Sequence, residues 1–275
     1  MKIITAKTFT NSLFLAVVLT ACGGKAVAPA PDLPEVNQLS QQTVNAVLWY
    51  NTSAENAYIY EQTYNVAKTM VEKNMQSIKD SRPPAVIVDV DETVLDNSPY
   101  QIELIKRGDV FTEETWARWV NGMSCKALPG AVSFGNFCEE RGIEVFYISN
   151  RSERYLESTM QNLQRVKMRF ADEAHVKLKG DNSDKTVRRR EVENQYNVVL
   201  YLGDNLVDYD NNFSDRSEMY GKKEVKGKLE EMLPRFLLFP NPMYGNWERA
   251  FSSDEKLSPA ERANLKIQGI TEYDY

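Results

Sequence analysis

The sequence predicts an α/β fold built on a parallel sheet. Short apolar runs rich in β-branched residues, such as Ala85-Val86-Ile87-Val88, have the length and composition of strands buried on both faces. These runs alternate with stretches in which apolar residues recur every three or four positions, as on one face of a helix. Such alternation favours parallel strands joined by right-handed helical crossovers.

The predicted elements follow one another along the chain. A helical pattern covers residues 40–78, and Pro83-Pro84 ends it. We expect strands at residues 85–88, 145–148, 176–178, 198–202 and 236–239. Helical patterns occupy residues 156–170 and begin again at about Lys185. A capping box, Ser258-Pro259-Ala260-Glu261, predicts a final helix.

The N-terminal segment predicts a lipid anchor. Lys2 and Lys7 precede an uncharged run over residues 8–21 that is too short for a permanent membrane helix and is typical of a cleaved signal peptide, residues 1–21. The run ends in Leu19-Thr20-Ala21-Cys22, which resembles the lipobox of bacterial lipoproteins. We therefore expect acylation of Cys22 and attachment to a lipid bilayer. Gly23 favours, by the same resemblance, the bacterial outer membrane, on a face that the sequence does not indicate.

From Cys22 onward, the sequence predicts the lipidated cysteine and a flexible tether over residues 22–38, followed by a folded domain over residues 39–275. The tether is rich in Ala, Pro and Gly and lacks apolar periodicity. The folded domain divides into an α/β core over about residues 85–240 and a smaller helical part. We place the helical part at about residues 40–80, after the first carboxylate motif and near the C-terminus.

Composition limits the chemistry. The net charge is −6 and becomes −8 without residues 1–21, which argues against a nucleic-acid polymer as partner. His175 is the single histidine, so sites built from two or three imidazoles are excluded. No metal-binding pattern surrounds His175, and a structural role is expected for it. The catalytic groups must therefore be mainly carboxylates.

Polar side chains follow four of the predicted strands, at the sheet edge where ligands bind in open α/β sheets. Asp89 and Asp91 follow the first strand and project to one side of an extended chain, roughly 6–7 Å apart. One can attack a phosphorus atom while the other reaches the leaving oxygen. The other strand ends contribute Ser149-Asn150-Arg151, Lys185, Asp204 and Asp208. Four gathered aspartates require a cation, and hard oxygen ligands select Mg²⁺ or a similar ion.

Two long motifs carry a family resemblance: Ile87-Val88-Asp89-Val90-Asp91-Glu92-Thr93-Val94-Leu95-Asp96-Asn97-Ser98-Pro99-Tyr100 and Gly203-Asp204-Asn205-Leu206-Val207-Asp208-Tyr209. Together they resemble the signatures of the class C bacterial non-specific acid phosphatases of the haloacid dehalogenase superfamily. The resemblance begins at about Val44 and departs from the family at Val90 and Tyr209 only in apolar or aromatic exchanges. It implies a Rossmann-like haloacid dehalogenase core with a smaller helical domain.

The resemblance also implies roles for single residues. Asp89 would be the nucleophile, and Asp91 the acid that protonates the leaving group and then activates water. Asp89, the Asp91 carbonyl and Asp204 would hold Mg²⁺, with Asp208 supporting the metal shell or Lys185. Ser149, Asn150 and Lys185 would bind the phosphoryl group or support its loop, and Trp116 and Tyr244 would stack on a base.

The implied activity is hydrolysis of 5′-nucleotides and related monophosphates such as nicotinamide mononucleotide, with an acidic optimum, in aid of nucleoside uptake. The family also implies a homodimer. Two alternatives stay open on the sequence alone. One is a non-catalytic surface lipoprotein that binds haem or a nucleotide, and the other is a phosphotransferase of the same superfamily.

Several side chains have competing interpretations. Trp116 shares helical spacing with Trp119, Val120 and Met123, which also fits a core position. The three consecutive arginines at 188–190 are expected to be solvated. Cys125 and Cys138 either form a disulfide or are two buried thiols, and their spacing leaves the choice open.

Overall fold

The structure, a computed structural model, describes residues 38–251 and 256–271. The predicted signal peptide, the acylation at Cys22 and the tether up to residue 37 lie outside the described residues. Within the described ranges, no helix is both long and apolar enough to cross a membrane.

A five-stranded parallel sheet forms the centre of the fold, as the alternation of strands and helices predicts, in the order β5-β4-β1-β6-β7. A second, antiparallel pair joins β2 to β3. The strands are β1 (Pro84–Val88), β2 (Leu95–Asp96), β3 (Lys126–Ala127), β4 (Glu144–Ser152), β5 (Val176–Lys179), β6 (Asn197–Gly203) and β7 (Phe236–Leu238). Strand β4 continues four residues beyond its predicted end and so carries Ser149, Asn150 and Arg151 itself.

Helices cover both faces of this sheet. They are α1 (Gln38–Gln42), α2 (Val44–Thr52), α3 (Ala54–Met75), α4 (Ser98–Arg107), α5 (Glu113–Asn121), α6 (Ala131–Glu140), α7 (Leu156–Arg165), α8 (Thr186–Gln195), α9 (Lys222–Met232) and α10 (Pro259–Thr271). Val86 and Val88 of β1 pack in a core with α3 and α6, whereas Ala85 and Ile87 pack in a second core with α8 and α9. The continuous apolar run of β1 is therefore buried on both faces.

The first helical stretch is three helices rather than one continuous helix. The chain breaks at Thr43 and at Ser53, whose backbone is extended and whose hydroxyl accepts a hydrogen bond from the Asn56 amide at 3.1 Å. Ser53 thus caps α3, which is why a periodic pattern without Pro or Gly is still interrupted there. Tyr60, Tyr64, Ala67 and Val71 form a buried stripe along α3, whereas Ala57, which shares their spacing, is exposed.

The helical part combines segments that are far apart in the sequence. Helices α4 and α5 are inserted between β2 and β3, and α4 contacts α1 and α2. Helix α10 joins them through α1, where the Gln42 amide donates to the Ala263 carbonyl at 2.9 Å. The Ser258 capping box is confirmed, because the Ser258 amide and hydroxyl both donate to the Glu261 carboxylate.

The structure also resolves the positions of the two cysteines and of the single histidine among the described residues. Cys125 and Cys138 are two separate buried thiols, and burial raises the pKa of Cys125 to about 11 and that of Cys138 to about 12. His175 lies between the carboxylates of Asp172 at 2.7 Å and Glu144 at 3.1 Å. These contacts join β4 to the turn before β5, which is a structural role.

Candidate active site

The site lies at the carboxyl edge of the parallel sheet, where the chain passes from one side of β1 to the other. Strands β4 and β5 lie on one side of β1, and β6 and β7 on the other. Such a switch point leaves a crevice between the loops that follow the strands. A cleft of about 530 Å³ occupies this place. It is lined by all the predicted site residues that the structure describes: Asp89, Asp91, Trp116, Ser149, Asn150, Lys185, Asp204, Asp208 and Tyr244.

Three carboxylates meet at the floor of the cleft. Asp89 follows β1 and its amide donates to the Leu202 carbonyl of β6 at 2.9 Å, which fixes it beside Asp204 and Asp208. One oxygen from each of Asp89, Asp204 and Asp208 lies within 4.8 Å of the others. Lys185, at the start of α8, donates to the carboxylates of Asp89 and Asp208, in the latter case at 2.7 Å. One ammonium group therefore faces three acids.

Gly203 allows this close approach. A Cβ added at Gly203 would lie 2.5 Å from the Cβ of Asp208, a distance that no side chain tolerates. Asp208 ends a short 3-10 helix that Asn205 caps, and its carboxylate accepts a hydrogen bond from the Asn205 amide at 2.9 Å. The Gly-Asp-Asn-x-x-Asp sequence thus folds both acids back onto the end of β6.

Burial and mutual repulsion make the ionised cluster costly without a cation. Burial, with help from Asp208 and Asp91, raises the pKa of Asp89 to about 7, although Lys185 opposes the change. Burial and the charges of Asp208 and Asp89 also raise the pKa of Asp204. Burial acts against the charge of Lys185, but Asp208 and Asp89 outweigh it and raise the Lys185 pKa. A divalent cation would remove this excess of negative charge.

The carboxylates therefore fit a hard divalent cation. The three clustered oxygens are of the type that Mg²⁺ prefers, and they come from two loops held rigidly at the sheet edge. Asp208, expected to support the metal shell, lies in the same cluster as Asp89 and Asp204, whereas the Asp91 side chain does not. The Asp91 carboxylate is bound by other protein side chains instead.

The Asp91 carboxylate is held by donors from the protein. The fully buried guanidinium of Arg151 binds it through Nε at 3.0 Å and Nη2 at 2.8 Å. The Asn97 amide donates at 2.8 Å and the Ser149 hydroxyl at 3.3 Å. Asn97 is in turn fixed by Trp119, whose indole N–H donates to its side-chain oxygen at 2.7 Å. Arg151 is therefore the main partner of Asp91. The sequence placed Arg151 at a strand end but did not indicate that it would bind Asp91.

The expectation that the arginines at 188–190 are solvated is wrong for two of them. Arg188 and Arg189 are buried, and only Arg190 is exposed. Arg188 donates to the Ser149 carbonyl at 2.6 Å and to the Asn150 side chain at 2.8 Å. Arg189 donates to the Asp208 carbonyl at 3.2 Å. The buried carbonyls of Ser149 and Asp208 need donors, and these two arginines supply them.

Trp116 and Tyr244 are half-buried walls of the cleft. Trp116 packs against Tyr100, with ring centroids 5.2 Å apart, while Val120 on the same helix enters the core. The tryptophan is therefore on the cleft side of α5. The Tyr244 hydroxyl donates to the carboxylate of Glu92, a fully buried residue that the sequence did not single out.

A parallel α/β core with aspartates after its central strands and a lysine at the start of a following helix defines a haloacid dehalogenase type of enzyme. The family described as "HAD superfamily, subfamily IIIB (Acid phosphatase)" matches residues 4–247, and the chain belongs to this family.

Solved structures and a curated protein are similar to the chain. The class C acid phosphatase from Bacillus anthracis is 34% identical, with a TM-score of 0.81 over 86% of this chain and 100% of that chain. The same enzyme with tungstate bound is 33% identical, with the same TM-score and coverage. Acid phosphatase 1 of Solanum lycopersicum is 30% identical over 159 residues, which are 58% of this chain and 57% of that protein. The match thus spans little more than half the length of the tomato protein.

Proposed function

We propose that the protein is a Mg²⁺-dependent phosphomonoesterase that acts through an aspartyl-phosphate on Asp89. The observation that carries this proposal is the contrast between two neighbouring carboxylates in one cleft. Asp89 lies in an acidic cluster that a cation would complete, and Asp91 is held beside it by Arg151 and Asn97. Nucleophilic attack and proton transfer need two carboxylates with different surroundings.

The reaction has two displacements at phosphorus. An oxygen of ionised Asp89 attacks the phosphorus, the bond to the leaving oxygen breaks, and protonated Asp91 donates its proton to that oxygen. Water then attacks the aspartyl-phosphate while Asp91 takes a proton from it. The second displacement releases inorganic phosphate and restores both carboxyl groups to their starting states.

Lys185 and the acidic cluster would share the binding of the phosphoryl group. Asp89, Asp204 and Asp208, with the Asp91 carbonyl implied by the family, would hold Mg²⁺. When bound, the ion neutralises negative charge on the phosphoryl oxygens and on the cluster. Lys185 and the Ser149 hydroxyl would donate to phosphoryl oxygens once the ion shares the carboxylates. The tungstate held by the class C acid phosphatase from Bacillus anthracis, a tetrahedral oxyanion like phosphate, supports an oxyanion site on this fold.

The aromatic walls support 5′-nucleotides as substrates. Trp116 and Tyr244 both line the cleft that contains Asp89, and planar rings stack on any nucleobase. We therefore propose broad action on nucleoside monophosphates, including nicotinamide mononucleotide.

The lipobox motif supports a location for this activity. Acylation of Cys22 would attach the enzyme to the bacterial outer membrane, where removal of phosphate from nucleotides would supply nucleosides for uptake. We further propose a homodimer, on the family resemblance.

The test is phosphate release by the full chain in detergent, over a panel of nucleotides and glycerol 3-phosphate, with Mg²⁺ or with EDTA. We expect Mg²⁺-dependent release that is fastest for nucleotides. No release from any monophosphate in Mg²⁺ would exclude the phosphatase and favour a binding protein. Loss of the phosphoryl group from the nucleotide only when an acceptor alcohol is present, with the phosphate ester of that alcohol as product in place of free phosphate, would favour a phosphotransferase. Mass spectrometry of the N-terminal peptide would test acylation at Cys22.

A further inference from the structure

The loop that carries Tyr244 is attached to the carboxylate cluster by one side chain. We define this segment, residues 240–245, as the Tyr244 loop. The Asn241 amide nitrogen donates to Asp204 Oδ2 at 2.8 Å. Its oxygen accepts from the backbone amides of Met243 at 3.0 Å and Tyr244 at 3.4 Å. Asn241 thus contacts a candidate metal ligand with one end and shapes the loop with the other.

The far end of the same loop is attached to the Asp91 side of the site. The Tyr244 hydroxyl donates to the buried Glu92 carboxylate. The same carboxylate also accepts a hydrogen bond from the backbone amide of Asn97 at 2.8 Å. Asn97 is the residue whose side chain donates to Asp91. The Tyr244 loop is therefore fixed at both ends. Asn241 attaches one end to Asp204, and Tyr244 attaches the other end to Glu92, the residue after Asp91.

Directly after Tyr244, the loop also passes close to Asn205, which lies between Asp204 and Asp208 of the carboxylate cluster along the motif. A Cβ at Gly245 would lie 2.9 Å from the side-chain nitrogen of Asn205, whose backbone amide binds Asp208. Met243 is buried in the main core, which fixes the middle of the loop. A shift of Asp204 would therefore be transmitted to the ring of Tyr244 through contacts that leave little free space.

We propose that Asn241 is a positioning residue that couples the metal site to recognition of the leaving group. By holding Asp204 Oδ2, Asn241 fixes the orientation of the Asp204 carboxylate within the cluster, as hydrogen bonds to metal ligands commonly do. By accepting from the Tyr244 amide, it holds the aromatic wall in place. This inference rests on the proposed function. Its consequence is that one substitution weakens Mg²⁺ binding and discrimination between leaving groups together.

The test compares Asn241→Ala, Tyr244→Phe and Asn65→Ala with the parent protein. Mg²⁺ affinity is measured directly, by calorimetric titration of the metal-free full chain. Selectivity is the ratio of kcat/KM for adenosine 5′-monophosphate to that for glycerol 3-phosphate, which has no ring to stack. Asn65→Ala is the control, because Asn65 is an exposed residue of α3 whose side chain donates to the Glu61 carbonyl of its own helix.

For Asn241→Ala we expect Mg²⁺ affinity to fall about tenfold or more. We expect selectivity to fall at least about fivefold, through KM for the nucleotide. Tyr244→Phe keeps the ring and Asn241 but loses the bond to Glu92, so selectivity should fall while Mg²⁺ affinity is unchanged. Asn65→Ala should change neither quantity.

If Asn241→Ala changes only one of the two quantities, or neither, the coupling is overturned while the phosphatase stands. If Asn241→Ala lowers the melting temperature but leaves Mg²⁺ affinity and selectivity unchanged, Asn241 has only a structural role and the coupling is likewise overturned. Absence of phosphate release by the parent protein overturns the proposed function itself, which separates the two failures.

Discussion

Asp89 and Asp91 are two residues apart on one loop, yet their surroundings are opposite. Asp89 faces two further carboxylates and shares one lysine with Asp208. Asp91 faces a guanidinium, an amide and a hydroxyl, all of them donors. The protein compensates the charge of Asp91 with its own side chains but leaves the cluster around Asp89 short of positive charge. The fold thus completes one half of the site and leaves the other half for a cation.

The largest expected effect is the loss of either carboxylate. Asp89→Asn and Asp91→Asn should each reduce kcat by at least about 10⁴-fold, because in the proposed reaction each removes a group that takes part directly in bond making or proton transfer. The two variants should differ in the stability of the metal-free protein. Asp89→Asn relieves repulsion with Asp204 and Asp208, whereas Asp91→Asn leaves the buried Arg151 charge without its partner.

Two measurements are made on each variant. Phosphate release is measured with Mg²⁺, and the melting temperature is measured in EDTA. We expect the melting temperature of Asp89→Asn to equal or exceed that of the parent protein, and that of Asp91→Asn to be lower. Equal loss of stability in both variants would contradict the contrast between the two carboxylates.

The next largest effect is expected at Arg151. Arg151→Met should lower the free energy of unfolding by about 3–5 kcal/mol, because it breaks a buried ion pair and leaves Asp91 uncompensated. Part of this loss should return in the double variant with Asp91→Asn, which removes the unpaired charge. Denaturant unfolding measures all three variants.

Arg107→Met is the matched control for Arg151→Met. Arg107 is exposed and pairs with Glu103 one turn away at 2.7 Å. An exposed pair of this kind contributes about 0–1 kcal/mol. A similar loss from both substitutions would mean that the Arg151 pair has no special importance.

A smaller effect is expected from metal removal, and its size should depend on pH. The pKa of Asp89 is about 7 in the folded, metal-free protein against an ordinary value of 3.8. A carboxyl group with a raised pKa favours the folded state below its ordinary pKa, and this contribution is lost as the pH rises through the folded value. The metal-free protein should therefore lose stability between about pH 4 and pH 7.

Melting temperatures with EDTA and with Mg²⁺ at pH 5 and pH 7 test this. Mg²⁺ should raise the melting temperature by a few degrees more at pH 7 than at pH 5, because the ion binds the ionised cluster. EDTA buffer brought to the ionic strength of the Mg²⁺ buffer with sodium chloride controls for screening. An equal increase at both pH values would show that the acids of the cluster are ionised throughout.

The smallest effect is expected at the cleft wall. Trp116→Leu should raise KM for adenosine 5′-monophosphate by about fivefold or more and change kcat little, because under the proposed function the ring would contact the leaving group and not the phosphorus. KM for glycerol 3-phosphate should be unchanged. Trp49→Leu on α2, away from the cleft, is the control. An equal rise of KM for both substrates would assign Trp116 to packing with Tyr100 instead.

Much of this site could be predicted from the sequence, because parallel strands place their carboxyl ends at one edge. When residues 85–88 and the other short apolar runs are taken as parallel strands, Asp89, Ser149, Lys185 and Asp204 are expected at a shared cleft. The partners of these groups did not follow. Arg151 is 60 residues from Asp91, and Asn241 is 37 residues from Asp204. No local pattern marks such pairs.

The sequence by itself determined the alternation of strands and helices, the placement of acids after the strands and the membership in a phosphatase family through two long motifs. These properties depend on periodicity and on short-range order, which a chain carries locally. Only the tertiary structure decided which charge compensates which. Arg188 and Arg189 are buried rather than solvated, and Arg151 binds Asp91 while the cluster around Asp89 keeps one lysine for three acids. Compensation of charge depends on burial and on distances between strands that neighbour each other only after folding.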